Sequence, residues 1–376
     1  MSTDLARAIA ARFRAPEAAA VGGSGLSGLA GTALLHARLS PLDPAFARAA
    51  AVHWEHALRT SPRTGSSIHQ PAGGVAASLI LGTPCLPDPC AHADVVGRAV
   101  RWLSAQATST AEEGAGRPHS WDAINGLAAT GRVLLAAAAS GHAAAEPGLR
   151  AALTSVTAVL LDTRDAPRPG WWTAPEHHLR PATAPGSGSA DTGLAHGVAG
   201  PLALLTAAVR ARREVPRQTQ AIERAADWLV RWRTPEGDWP PQITGEALDT
   251  GRHRPLRGRR DAWCYGTPGI TNALRAAADT MERPAWAKAA ADALAAFAAK
   301  PAWDVEGPDV CHGHAGVLLA VPAASAAFER AYAALVADTV PSAPGLLTGA
   351  VGVALALAAR SPSPQGEPWR ACLLLA

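Results

Sequence analysis

Residues 309–316 read DVCHGHAG, and a short apolar run, VLLAV, follows them. The stretch places Cys311 and His312 directly before two glycines in a Gly-x-x-G step, Gly313 and Gly316. A search for internal repeats finds this step, or a copy with alanine as its second residue, at the head of seven apolar runs: Gly28/Gly31, Gly73/Ala76, Gly126/Ala129, Gly197/Gly200, Gly266/Gly269, Gly313/Gly316 and Gly349/Gly352.

Seven other segments alternate with these runs. Segments such as AIERAADWLVRW carry apolar residues at helical spacing with charges between them, whereas the glycine-led runs are apolar nearly all round. The pattern predicts about fourteen helices, alternately outer and inner, in an all-α fold: an (α/α) toroid or barrel of seven helical hairpins. The predicted outer helices cover residues 3–13, 44–58, 92–106, 148–161, 219–233, 285–300 and 325–339.

The glycine steps also predict where a site should lie. Small residues at the start of each inner helix let the chain turn tightly and let crowded helices approach one another. Turns at equivalent positions of a closed ring point to the same end of that ring. The residues just before each step should therefore line one common bowl.

Aligning the steps brings potential metal ligands into register. Cys264 and Cys311 both lie two residues before the first glycine, and His312 follows Cys311. Two thiolates and an imidazole suit Zn²⁺, and three protein ligands leave a fourth position open, as in catalytic sites. A Cys-His pair alone is more often simple packing; the equivalent Cys264 favours a site. Two thiolates would balance the metal charge, so a third, from a substrate, would stay nucleophilic.

Four residues are candidates for proton transfer and charge stabilisation. His196 shares the alignment position of His312 and titrates near neutral pH, which suits a general acid or base. Tyr265 could donate a proton, and Arg260, four residues before Cys264, could stabilise a developing oxyanion. Asp122 precedes Gly126 by four residues, and its simpler role is a helix cap. A buried structural role is the ordinary alternative for His196 and Tyr265, and a loop arginine for Arg260.

Composition excludes several classes of protein. The chain has 376 residues, a net charge of +3 and no long basic run, so nothing indicates nucleic-acid binding. Its five cysteines, an odd number without a signal peptide, argue against a disulfide framework. No apolar run reaches the ~18 residues of a membrane span. We therefore expect a cytoplasmic protein.

Two long inserts separate the repeats. Residues 162–191 are rich in Pro, Gly and Ser, with a short strand predicted at 170–173, and residues 234–259 form a second insert. Loops of this length in compact domains are usually functional or disordered, and these would cover the bowl. The basic tract 252–260 is a solvated loop or a rim for a charged partner. We expect residues 1–376 to form one domain with an extension at 162–191.

At these residues the sequence resembles the lanthionine synthetase C-like family, and in particular its free-standing lantibiotic cyclases. The resemblance covers nearly the whole chain and rests on LAHG (194–197), WCYG-x-PG (263–269), CHG-x-AG (311–316) and the seven glycine-rich repeats. It implies an (α/α) toroid with one Zn²⁺ per chain, and a small strand-containing extension, which residues 162–191 would supply.

The resemblance also implies an activity. The enzyme would add peptide cysteine thiols to dehydroalanine or dehydrobutyrine, which forms lanthionine or methyllanthionine thioether rings. By the family motifs, Cys264, Cys311 and His312 would bind the metal, and His196 would transfer the proton with support from three residues: Tyr265, Arg260 and Asp122. The substrate would be a dehydrated precursor peptide. A dehydratase and an exporter would be partners in a biosynthetic complex, which could bring the protein to the membrane periphery.

Three other interpretations of the sequence are alternatives to a lanthionine cyclase. His53-x-Glu55 with Pro84-Cys85 and Cys90 imitates the signature of zinc nucleobase deaminases, but four residues separate the cysteines instead of two. Helical toroids that act on carbohydrates or isoprenoids need paired carboxylates or Asp-rich motifs, which the inner-helix starts lack. A non-catalytic protein of the same fold, which binds zinc and a thiol such as glutathione or serves as a scaffold, is the strongest alternative.

Overall fold

The computed structural model describes residues 2–62, 64–65, 67–114, 118–178, 182, 184–252, 260–361 and 363–375. The regular elements within them are mostly α-helices. In chain order these are α1 (Ser2–Arg12), α2 (Pro16–Ala20), α3 (Leu29–Leu39), α4 (Pro44–Thr60), α5 (Pro71–Gly82), α6 (Ala93–Glu112), α7 (Leu127–Ala139), α8 (Glu146–Leu161), α9 (Ala199–Arg210), α10 (Gln218–Arg231), α11 (Gly245–Thr250), α12 (Thr267–Met281), α13 (Pro284–Ala299), α14 (His314–Ala320), α15 (Ala326–Ala337) and α16 (Ala350–Ala358).

The glycine-led helices form the inner wall of a closed ring. Each packs against the next along the chain, and the last packs against the first, in the order α3, α5, α7, α9, α12, α14, α16. Every residue of α3 and of α16 is buried, as expected of helices with neighbours on all sides. The predicted all-α toroid is confirmed.

The amphipathic helices form the outer layer. Each packs on the outside of an inner helix: α1 on α16, α4 on α3, α6 on α5, α8 on α7, α10 on α9, α13 on α12 and α15 on α14. In α10 the buried residues recur at helical spacing along one face, namely Ala221, Ile222, Ala225, Ala226 and Leu229. The hairpin of α16 and α1 is built from distant parts of the chain, and the hydroxyl groups of Thr3 and Ser361 lie 2.9 Å apart there.

Two details differ from the simple repeat. The inner helix α14 ends at Ala320, because Pro322 follows Val321 and cannot continue a helix. Residues 368–373 form a 3₁₀ helix that packs on α5 and α7. From the other side of the ring, Trp263 Nε1 donates to the Leu373 carbonyl at 3.0 Å. This segment therefore lies inside the ring and fills its middle.

The two inserts join in one small antiparallel sheet. Its strands are β1 (Trp172–Thr173), β2 (Ser189–Asp191) and β3 (Gln242–Thr244), in the order β1-β2-β3. The strand predicted at 170–173 is present as β1, whereas β3 and the following α11 were expected to be loop. β2 pairs Ala190 with Trp172 on one side and with Ile243 on the other. The sheet holds both inserts together at the end of the ring where the inner helices start.

The turns before the inner helices are linked by backbone hydrogen bonds. Amides of one turn donate to carbonyls of the next around much of the mouth: Leu346 to Leu26 at 3.0 Å, Cys311 to Leu347 at 2.8 Å, Cys264 to Cys311 at 3.3 Å, Ala195 to Cys264 at 3.1 Å and Ala123 to Ala195 at 3.2 Å. The residues before the glycine steps therefore share one bowl, held by paired backbone groups.

The second glycine of a step is required by close packing. A Cβ atom at Gly316 would overlap the carbonyl oxygen of Val310 and lie 2.9 Å from the Cβ of Trp263. We expect Gly316→Ala to lower the free energy of unfolding by about 1–3 kcal/mol, since the added methyl group would force the Val310 carbonyl and Trp263 to shift. Denaturant unfolding followed by circular dichroism measures it.

Gly97, in the outer helix α6, is the matched control. A Cβ atom there meets nothing closer than Arg101 Nη1 at 3.5 Å. Gly97→Ala should raise the free energy of unfolding by roughly 0.5–1 kcal/mol, because alanine is the better helix former. Equal effects of the two substitutions would contradict the packing account of the repeat.

Among the described helices, none is both long enough and apolar enough to cross a lipid bilayer.

Candidate metal centre and catalytic site

A cavity of about 430 Å³ lies at the mouth of the ring, between the turns and the two inserts. All seven residues selected from the sequence line it: Asp122, His196, Arg260, Cys264, Tyr265, Cys311 and His312. Thr173, His177 and His178 of the first insert and Pro241 and Gln242 of the second also line it. The inserts therefore cover part of the bowl.

Cys264, Cys311 and His312 converge at the base of the cavity. One ligand atom from each, two sulfurs and an imidazole nitrogen, lies within 4.8 Å of the others. Among the described residues this is the one cluster of His, Cys, Asp or Glu side chains that fits a metal ion. Soft sulfur with imidazole is the donor set of thiophilic ions.

Hydrogen bonds among the three groups favour the thiolate form of Cys264. Hydrogen bonds from Cys311 and His312 lower the pKa of the Cys264 thiol to about 5. As the donor in that bond, Cys311 has a raised pKa, and His312 has a raised pKa because it also donates to Cys264. One thiolate is thus already stabilised before any cation enters, and a cation would displace the remaining protons.

The backbone fixes the positions of the ligands. Cys264 is 2% exposed, and its turn is tied to that of Cys311 by the Cys264 N to Cys311 O bond. The carboxylate of Asp309 accepts from the His312 amide at 2.7 Å. Asp309 and Asp122 occupy the same position in their repeats, and the Asp122 carboxylate likewise accepts from the Asn125 amide, at 2.6 Å. These carboxylates hold the turns in shape.

His196 and Asp122 form a hydrogen-bonded pair on the wall of the cavity. His196 Nδ1 lies 2.7 Å from Asp122 Oδ2, and Asp122 is almost fully buried. Burial alone would lower the pKa of His196, but the hydrogen bond and the charge of Asp122 outweigh it and raise that pKa. Because Nδ1 is engaged, Nε2 is the nitrogen left to face a reacting group. Asp122 therefore does more than cap its turn.

Tyr265 is held by a residue that sequence reasoning missed. Its hydroxyl donates to Asp191 Oδ2 at 2.8 Å, and Ser189 Oγ donates to Asp191 Oδ1 at 3.0 Å. Burial raises the pKa of Asp191, and burial with the nearby Asp191 charge raises that of Tyr265. Asp191 lies on β2, outside every repeat, five residues before His196. The one available signal was an acidic residue just before the LAHG stretch.

Arg260 lies at the rim of the cavity. Its guanidinium is 3.1 Å from Glu306, and its side chain is one-third exposed. Residues 253–259 of the basic tract lie outside the described residues, so the role of the tract as a rim for a charged partner remains a prediction. The charge of Arg260 contributes to the low pKa of Cys264.

The described residues that imitate the deaminase signature do not come together in a metal site. His53 is buried in α4, where its Nδ1 lies 2.6 Å from the hydroxyl of Thr32, and its Nε2 faces the carbonyl of Arg14 at 3.3 Å. Cys85 is buried and Cys90 is exposed, both as free thiols. Among the described residues these groups form no metal-binding cluster.

Comparisons with known proteins agree with this architecture. A search of curated proteins finds no match to the sequence. Among solved structures, that of nisin cyclase is similar, with a TM-score of 0.83 over 98% of this chain and 96% of that chain, at 20% sequence identity. At this identity the likeness concerns the fold. The profile of the family described as lanthionine synthetase C-like protein matches residues 20–342. Since this match spans most of the chain, the protein belongs to the lanthionine synthetase C-like family.

Proposed function

We propose that the protein is a zinc-dependent lanthionine cyclase. It adds cysteine thiols of a dehydrated, ribosomally made peptide to dehydroalanine or dehydrobutyrine in the same peptide. The observation that carries the proposal is the convergence of two thiols and an imidazole beside the His196–Asp122 pair in one cavity. Family membership and the similar fold of nisin cyclase support it.

The donor set supports zinc at the base of the cavity. Cys264, Cys311 and His312 would hold the ion, which leaves one position open for a substrate sulfur. Bound zinc would lower the pKa of a peptide thiol so that a nucleophilic thiolate is present at neutral pH. The paired low-pKa and high-pKa thiols of this chain suit such an ion, because its binding releases the proton that they share.

The reaction needs one proton at carbon. A peptide thiolate forms the C–S bond at the β-carbon of the dehydro residue, and the electron pair of the double bond passes to the α-carbon and its carbonyl. A proton must then reach the α-carbon, so the product has the mass of the reactant. His196 lines the cavity, and its pKa is raised by Asp122, so it is suited to supply this proton.

Two side chains are suited to the negative charge that develops on the carbonyl. Arg260 carries a fixed positive charge at the rim, and the ring of Tyr265 lies near that of His196, with ring centroids 6.4 Å apart. Asp191 orients the Tyr265 hydroxyl in the resting site. Arg260 would act as a fixed donor to the oxyanion, and Tyr265 would do so when its single hydroxyl proton turns from Asp191 to the substrate. We further propose that residues 1–376 act as one domain, with the extension at 162–191 as part of the cover.

The competing function is thiol binding without ring formation. The cluster of sulfur and imidazole would also bind a thiol such as glutathione. A buried carboxylate that raises the pKa of His196 favours catalysis, since simple thiol binding needs no proton donor.

The deciding experiment uses a dehydrated peptide with one dehydroalanine and one cysteine. Because cyclisation leaves the mass unchanged, product is counted by the loss of iodoacetamide-reactive thiol in mass spectrometry, and the ring is located by fragmentation. We expect one thiol lost per ring, with about one zinc per chain by elemental analysis. The alternative function, thiol binding, would be established if the zinc-loaded protein bound the peptide and glutathione but every peptide thiol still reacted with iodoacetamide.

A further inference from the structure

A second cavity, of about 340 Å³, lies at the opposite end of the ring. It opens between the C-terminal halves of α7 and α9, the middle of α12 and residues 374–375. None of the proposed catalytic or metal-binding residues lines it. Arg210, on its rim, is exposed, so the cavity is open to solvent.

Two arginines line this cavity, and the described part of the chain supplies neither with an ion-pair partner. Arg132 of α7 and Arg210 of α9 both line it, and among the described residues neither forms a hydrogen bond or an ion pair with a protein group. Burial lowers the pKa of Arg132, and the nearby Arg210 charge acts in the same direction. A cation partly withdrawn from water, such as Arg132, is costly unless an anion or water joins it.

The helix dipole accounts for only one of the two arginines. Arg210 is the last residue of α9, where a cation offsets the partial negative charge of the helix end. Arg132 lies in the middle of α7, seven residues before that helix ends at Ala139. The helix dipole therefore does not explain the position of its guanidinium at the cavity.

A buried hydroxyl in the same cavity also lacks a partner. Thr206 of α9 is 1% exposed, and its Oγ1 makes no hydrogen bond with any described protein group. Threonines on neighbouring inner helices bond to the carbonyl four residues earlier, as in Thr130 to Gly126 at 3.3 Å and Thr271 to Thr267 at 2.7 Å. Since Thr206 lines the cavity and leaves its own helix unbonded, it is available to a ligand.

Apart from Asn272, whose amide donates to the Ala320 carbonyl at 3.0 Å, the rest of the wall is apolar. Leu135, Leu374 and Leu375 line the cavity together with small alanine side chains of α7, α9 and α12: Ala136, Ala139, Ala203, Ala207, Ala211, Ala273 and Ala276. Such a wall favours an aliphatic body, while two guanidinium groups favour a planar carboxylate head.

We propose that this cavity binds a small aliphatic carboxylate, whose head pairs with Arg132 and Arg210 and accepts from Thr206, and whose body contacts Leu135 and Leu374. This site shares no lining residue with the metal centre. If no carboxylate binds here, the proposed cyclase activity is unaffected.

Isothermal titration of the zinc-loaded protein with sodium hexanoate, against sodium chloride at equal ionic strength, tests the proposal. We expect one saturable site per chain, with weaker binding of acetate, which lacks the aliphatic body. Arg132→Met should weaken hexanoate binding at least tenfold, as the loss of hydrogen bonds to a charged group does. Arg275→Met, at a neighbouring cavity of the same ring end, is the control and should leave binding unchanged.

A second variant guards against misfolding. Thr206→Val preserves shape and removes only the hydroxyl, and we expect it to weaken hexanoate binding about threefold or more. Absence of saturable hexanoate binding, unchanged affinity in folded Arg132→Met, or unchanged affinity in Thr206→Val would each overturn the proposal. Binding of inorganic phosphate in preference to hexanoate would overturn the choice of a carboxylate with an aliphatic body.

Discussion

Replacement of Cys311 by alanine should remove zinc from the protein and reduce cyclisation by at least about 100-fold. Losing one of three ligands leaves Cys264 and His312, too few for a tightly held ion, and even outer partners of metal ligands are worth 10–100-fold in affinity or activity. The ring itself should persist, because Cys311 lies in a turn whose backbone bonds to Leu347 and Cys264 do not use its side chain.

Three measurements on each protein separate these effects. Elemental analysis counts zinc per chain, the thiol-protection assay counts rings, and circular dichroism reports the helices. Cys90→Ala is the matched control, since Cys90 is an exposed free thiol away from the cavity. It should retain zinc and activity.

Two outcomes would contradict the metal assignment. Full zinc content in Cys311→Ala would show that the ion binds at another site. A well-folded wild type without zinc, active in the presence of a chelator, would leave the thiols without their proposed role. Wild-type protein stripped of zinc should also unfold at lower temperature, because an ion that binds only the folded state stabilises it.

Much of this fold could be predicted because the signal is local and repeated. The second glycine of a step, such as Gly316, is needed where one helix start meets the carbonyl six residues back, so the requirement recurs in sequence. Once the repeats were aligned, Cys264 and Cys311 fell at one position, and a closed ring places equivalent positions at one end. The roles assigned to these residues remain predictions.

The features that sequence reasoning missed depend on distant contacts. Of the sheet, the sequence predicted β1 alone. β2 pairs with β3 across some fifty residues, and strands of two or three residues carry no periodic signal. Asp191, which holds Tyr265, lies on that sheet. The filling of the ring by residues 368–375 likewise follows from partners such as Trp263, far away in sequence.

The second large effect is expected at His196. His196→Asn should keep about one zinc per chain and slow cyclisation by about 10²- to 10⁴-fold, because asparagine can fill the space and form a hydrogen bond but cannot deliver a proton. Zinc content is the reference measurement, since it distinguishes this variant from a ligand variant. Cyclisation at the unmutated rate would remove His196 from the mechanism.

Asp122 is expected to act through His196. In Asp122→Asn the side-chain carbonyl can still accept from the Asn125 amide, so the turn should survive. In the double variant with His196→Asn, we expect no further slowing beyond His196→Asn alone, as for residues that work as a unit. Additive losses would indicate that Asp122 has a separate role.

The pH dependence of the cyclisation rate tests the direction in which Asp122 shifts the pKa of His196. Asp122 raises the pKa of His196, so the protonated acid persists to higher pH and activity should fall only as pH rises through this raised value. In Asp122→Asn the fall should begin at lower pH. Five other titratable groups bear on this reading through the cavity wall or the neighbouring turns: Asp191, Tyr265, Cys264, His69 and His178.

These neighbouring side chains differ in how they affect the pKa of His196. Burial lowers the pKa of His69 to about 4, so it stays neutral over the range measured, while Asp191 approaches His196 from β2 and keeps some of the raising effect. The shift in Asp122→Asn should therefore be partial. Rate profiles of zinc-loaded wild type and variant, each against pH, measure it. Identical profiles would mean that the acid in this reaction is not His196 paired with Asp122.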